Sequence, residues 1–227
     1  MIGALRITLQ GGSVDMRKRF DEQLSLLNRE LTEMGARCEE VISLASHALC
    51  ARDTALAKRV APLDTEIDEK ERTIEALCLR LILQQQPVAR DLREISAALK
   101  MITDMERIGD QAEDIAEIVT FLDARRTEDE QLLTEMANAA GKMVTESVDA
   151  YVKRDTALAE HVIQADDVVD DYFLRIKRRL IDSIAKDPSE GEHALDLLMI
   201  AKYYERIGDH ATNIAEEVIL CVTGVQK

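Results

Sequence analysis

Glu106 and Asp110 stand four residues apart, and Glu205 and Asp209 repeat that spacing within the same peptide, Glu-Arg-Ile-Gly-Asp. On a helix, positions i and i+4 lie about 40° apart around the axis and roughly 6 Å apart along it. Carboxyl oxygens from successive turns therefore reach one ion, or two adjacent ions. Asp64 with Asp68, and Asp166 with Asp170, supply further pairs of the same kind. Such His-poor sets suit hard or intermediate cations, namely magnesium, manganese or iron; zinc is less natural without Cys or His.

The elements that must position these acids are helices. Of the 227 residues, 46% are hydrophobic, 32% charged and only 3% aromatic, with nine Gly and three Pro. That balance favours long helices and an all-α fold. The chain is also duplicated. Arg52-Asp53-Thr54-Ala55-Leu56-Ala57 recurs as Arg154–Ala159, an offset of 154 − 52 = 102 that also pairs Met34 with Met136 and Asp64 with Asp166. The acidic peptides are offset by 205 − 106 = 99, so copy two has lost three residues. The loss falls in the turn near Gln84–Pro87 and its counterpart at Lys186–Gly191.

Apolar residues spaced by three and four predict helices at 15–50, 54–85, 88–123, 128–153, 156–185 and 190–222. Asp53 and Asp155 occupy N-cap positions, and Pro87 suits a helix start. Short turns between long helices give two tandem three-helix bundles, 15–125 and 126–227, joined through Arg125–Glu130. Residues 1–14 read as a flexible tail.

Register sets the acids apart from ordinary surface charge. Counting back by sevens from Glu106 reaches Leu99 and Leu92; counting forward reaches Glu113. The companion row runs Ile95, Ile102, Gly109, Ala116. In copy two Glu205 follows Leu198, beside Ala201 and Gly208. Carboxylates thus stand where leucines would continue the seam, or at its margin, next to a Gly that permits close backbone approach. Like charges so placed repel and resist burial, so a cation should offset them. The plainer alternative is that Arg107, Arg206 and Lys202 neutralise them in ordinary salt bridges.

Other chemistries find little support. A formal net charge of −15 excludes a nucleic-acid binder. Cys38, Cys50, Cys78 and Cys221 are scattered, which reads as reduced core cysteine in a cytoplasmic protein. No stretch has the roughly 18 apolar residues of a membrane span. Phosphate loops, serine elbows and paired Glu-x-x-His motifs are missing, and no nucleophile stands out. Three readings compete: an interaction and signalling protein carrying metal, a metal-dependent hydrolase or redox enzyme, and a metal or phosphate buffer. Exposed helical faces suit a homodimer, although no strip is apolar enough to require one.

The two acidic peptides, the second continuing His-Ala-Thr-Asn-Ile-Ala-Glu-Glu, together with Pro87–Arg93 and the Phe20-Asp21-Glu22 opening, resemble the PhoU family of phosphate-uptake regulators. The likeness runs from about Met16 to near the C-terminus. It implies two pseudo-symmetric three-helix bundles whose Glu/Asp-x-x-x-Asp motifs bind metal ions or clusters; iron and zinc are associated with the family. The matching positions are Glu106, Asp110, Glu205 and Asp209, with Asp64, Asp68, Asp166 and Asp170 as partners. Asp114 would extend the first acidic row, and its counterpart Asn213 would not, so the two sites need not be equivalent. The implied role is non-enzymatic: restraint of phosphate uptake and phosphate-starvation signalling, between the phosphate ABC transporter ATPase and a sensor histidine kinase. A cytoplasmic protein, peripheral to a membrane transporter complex, fits that role.

Overall fold

The computed structural model describes residues 4–85, 87–122 and 129–225, with the backbone alone at 4–17, 84–85 and 129–130. Among the described residues the architecture is carried by six long α-helices and one short one, α1 (Ala4–Ala51), α2 (Thr54–Ala57), α3 (Val60–Gln85), α4 (Ala89–Val119), α5 (Asp129–Lys153), α6 (Thr156–Lys186) and α7 (Gly191–Thr223), with a single 3-10 turn at Pro188–Glu190 before α7. The chain is all-α, and no strand occurs among the described residues. Helix α1 starts earlier than position 15, although the side chains of the expected tail lie outside the described residues. Most of the joining run Arg125–Glu130 also lies outside them.

Helices α1, α3 and α4 pack on one another as the first bundle, and α5, α6 and α7 as the second. The bundles meet through α1 on α5 and α4 on α7, so equivalent helices face each other. The core repeats with the sequence. Met34 and Met136, Met101 and Ile200, Ile108 and Ile207, and Ile115 and Ile214 are all fully buried. Each such side chain removed from water stabilises the fold by about 1.5–3 kcal/mol. Leu92, expected on the seam, is 44% exposed; the buried stripe of α4 is carried by the row through Ile95, Ile102, Gly109 and Ala116.

Both bundles turn the same corner. Asp53 Oδ1 accepts from the amides of Ala55 and Leu56, and Asp155 Oδ1 from those of Ala157 and Leu158, at 2.8–3.1 Å. Arg52 and Arg154, one residue earlier, adopt left-handed φ of 52° and 55°. This ends α1 and α5 as a glycine normally would, with the next amide returning to Ala48 O or Ala150 O. The expected single helix 54–85 is broken at Lys58–Arg59. Pro62 explains the break, because it has no N–H for the Lys58 carbonyl and its ring crowds that carbonyl. Gln164 stands at the equivalent position, and α6 runs unbroken from Thr156.

Candidate metal centre

The first bundle brings the acids of α3 and α4 together. Asp64 is only 8% exposed, and its Oδ1 has no hydrogen-bond partner. It lies against Gly109, where an added Cβ would collide with Oδ1. Glycine is needed here for the approach of the helices, not for any unusual φ. Burial pushes the Asp64 carboxyl up to about 7, with the charges of Glu113, Asp68 and Asp110 adding to the effect. Burial raises Glu106 as well; Asp110, Glu71 and Asp68 push the same way, while Arg107 opposes them. Glu106 Oε2 is buried without a hydrogen bond, its nearest cation being Arg107 Nε at 3.4 Å.

Arg107 also reaches Asp110 Oδ2 at 2.9 Å, and Arg72 reaches Asp68 Oδ2 at 3.4 Å. Both arginines are more than half exposed; Asp64 Oδ1 is left without a hydrogen bond, and Glu106 Oε2 has only its ion pair with Arg107. A buried carboxylate oxygen without a hydrogen bond, beneath a glycine, is chemically suited to a hard cation. Among the described residues, no three acidic, His or Cys side chains already stand together as a ligand set. Bringing these carboxylates onto one ion therefore requires side-chain rotation against their mutual repulsion.

The second bundle repeats the scaffold. Asp166 lies against Gly208, with Oδ1 3.1 Å from a Cβ placed there, and burial pushes its carboxyl up to about 6, helped by Asp170, Asp209 and Asp167. Asp170 and Asp209 are exposed. Glu205 pairs with Lys202 three residues earlier, which is the salt-bridge alternative realised.

Asp114 turns away from this cluster. Burial raises its carboxyl, and the Tyr203 hydroxyl of α7 and the Arg206 charge act on it from the facing helix. Arg206 itself reaches Gln111 Oε1 at 3.5 Å. In the reciprocal contact, Asp104 Oδ1 lies 2.9 Å from His210 Nδ1 and accepts from Asn213 Nδ2 at 3.1 Å. Asp104 and Tyr203 are equivalent positions (203 − 104 = 99), as are Asp114 and Asn213, so one polar contact is made twice across α4 and α7. Glu71 and Glu113 join the first cluster although the paired spacings miss them. Each lies seven residues after Asp64 or Glu106, and the heptad count carries that signal.

These features define a tandem helical-repeat protein with acidic clusters on its second and third helices and no helix, among the described residues, long and apolar enough to cross a membrane. The family model for the PhoU domain matches twice, at residues 31–119 and 133–218. A protein of Clostridium acetobutylicum called "Phosphate-specific transport system accessory protein PhoU homolog" is 38% identical, over 92% of this chain and 97% of its own length. The crystal structure of PhoU from Pseudomonas aeruginosa superposes with a TM-score of 0.87 at 34% identity, over 91% of this chain and all of that one. The phosphate transport system regulatory protein PhoU from Streptococcus pneumoniae gives 0.85 at 26% identity, over 92% and 99%. The chain belongs to the PhoU family.

Proposed function

We propose that this protein is a non-enzymatic accessory regulator of phosphate transport. It restrains phosphate uptake and phosphate-starvation signalling by linking the ATPase of the phosphate ABC transporter to a sensor histidine kinase. The observation that carries this reading is the double PhoU match over both bundles, with relatives named as accessory proteins of phosphate-specific transport. The rigid double bundle suits such a role, because equivalent helices face each other across buried cores and paired polar contacts. It acts in the cytoplasm, on the transporter's inner face.

The acids Asp64, Asp68, Glu106 and Asp110 hold a metal ion that offsets their repulsion and fixes α3 against α4. The buried Asp64 Oδ1, which accepts no hydrogen bond, supports this role. Asp166, Asp170, Glu205 and Asp209 are the equivalent set, and Asp114 belongs to the α4–α7 contact instead. Deleting the gene should raise phosphate uptake in phosphate-replete cells, and the wild-type chain should restore restraint. The transporter ATPase and the sensor kinase should both co-purify with it. Unchanged uptake in the deletion, with neither partner captured, would refute the reading.

A further inference from the structure

Helix α6 is divided by charge along its length. Its first half, residues 156–171, carries five acids (Glu160, Asp166, Asp167, Asp170 and Asp171) and no Lys or Arg. Its second half, residues 172–186, carries Arg175, Lys177, Arg178, Arg179 and Lys186 against Asp182 alone, a balance of 5 − 1 = +4 on a chain of net charge −15. Only Lys186 lies in the last turn, so the helix dipole, which acts within that turn, does not account for the other cations. Arg175 is engaged by Asp171 at 3.6 Å and by the Tyr172 ring. Lys177 and Arg178 are exposed and form no ion pair among the described residues.

Between these cations the same face is apolar. Ile176 and Leu180 are buried in the bundle, whereas Leu174 and Ile181, on either side of Arg178, are more than half exposed. Helix α7 passes antiparallel, with Gly208 against Asp166 and Lys202 against Phe173, and so brings Leu195, also more than half exposed, level with Ile181. The first bundle has no such surface: the positions of Leu174, Lys177, Arg178 and Leu195 hold Arg72, Glu75, Ala76 and Ser96. A partner helix is received in a groove, whereas this face is the outward ridge of a helix. Such a ridge suits a deformable anionic surface, where Leu and Ile sink between headgroups and the cations meet phosphate. The acids of the first half do not prevent this. Asp170 and Asp167 lie 8 and 11 residues before Arg178, about 12 and 16 Å along the axis, and physiological salt screens exposed charges beyond about 8 Å. We propose that the second half of α6, with Leu195 beside it, docks on anionic phospholipid headgroups. The second bundle then meets the membrane by the end at which α6 turns into α7, and this contact requires neither transporter nor kinase.

The test is flotation of the full-length protein with vesicles of phosphatidylglycerol and phosphatidylcholine in equal parts, beside vesicles of phosphatidylcholine alone. Wild type should bind the first and not the second, and high salt should weaken the binding. Lys177→Glu combined with Arg178→Glu should reduce affinity at least about tenfold. Leu174→Ser combined with Ile181→Ser, which leaves the charge intact, should reduce it as well. Lys58→Glu combined with Arg59→Glu makes the same charge change at an exposed corner of the first bundle and should bind as wild type does. Circular dichroism confirms that each variant is folded. No binding by wild type, an equal loss in the Lys58–Arg59 variant, or full binding by both α6 variants would overturn the proposal. Wild type that ignores the vesicles, with the transporter ATPase lost only from the Lys177–Arg178 variant, would make the ridge a protein contact and overturn it too.

Discussion

The Asp64 carboxyl on α3 lies so close to Gly109 on α4 that the missing Cβ is what leaves room for it. Ile67 Cδ1, 3.1 Å from the same point, closes the other side. Gly109→Ala should therefore destabilise the protein by about 1–2 kcal/mol, even after the ~1 kcal/mol that Ala gains over Gly in a helix. Gly208→Ala meets Asp166 Oδ1 at 3.1 Å and Val169 at 3.4 Å, a milder conflict. Its net effect should stay within about 1 kcal/mol of wild type. Denaturant melts of the two variants check the difference, and equal losses would count against the tighter packing of the first site.

Stability of the metal-free protein should fall as pH rises. Asp64 sits near 7 and Asp166 near 6 in the folded state, both above the ordinary 3.8 of an unfolded Asp. Between about pH 4 and pH 7 the folded chain therefore binds more protons than the unfolded chain, and the slope of unfolding free energy with pH is negative. Glu106, Glu71 and Asp114 are raised too and add to the same sign, whereas Glu33 is lowered by Lys70 and opposes it. Melting temperature should decline from pH 5 to pH 8, less steeply in Asp64→Asn, and saturating metal should flatten the curve. A rise over that range in the metal-free protein would contradict the crowding of these acids.

Arg154 Nη1 reaches Glu94 Oε2 at 2.9 Å and ties the α5–α6 corner to α4 across the two bundles. Glu94 is largely buried, so losing its partner leaves an uncompensated carboxylate. Arg154→Ala keeps the same demand for a left-handed φ and isolates the side-chain loss. The expected cost is about 1–3 kcal/mol, read by chemical denaturation, and a change under half a unit on that scale would make the pair incidental.

Asp53→Ala and Asp155→Ala each remove a cap that accepts from two amides. Each should cost about 1 kcal/mol. Asn at either site should recover most of that in the same melts.

The duplicated sequence announces much of this molecule. The helices, the caps at Asp53 and Asp155, the three-residue loss between α6 and α7, and the pairing of Asp64 with the Glu106–Asp110 face are all legible in spacing. Asp114 is the instructive departure. Two steps of four turn a side chain about 80° around the axis, which carries Asp114 from the α3 face to α7 and Tyr203. A step of seven returns within about 20° of the start, so Glu113 and Glu71 rejoin the cluster. Which half-exposed acid finds an internal cation depends on side chains from another helix, as with Phe173 beneath Lys202, and no single periodicity encodes that.

Metal binding by the α3–α4 acidic cluster is read directly by elemental analysis of full-length protein purified without chelator or affinity tag, beside Asp64→Asn and Glu106→Gln. Wild type should carry a divalent or transition metal, and both variants should fold with that content largely lost. Equal metal content in all three, or none in wild type, would contradict it.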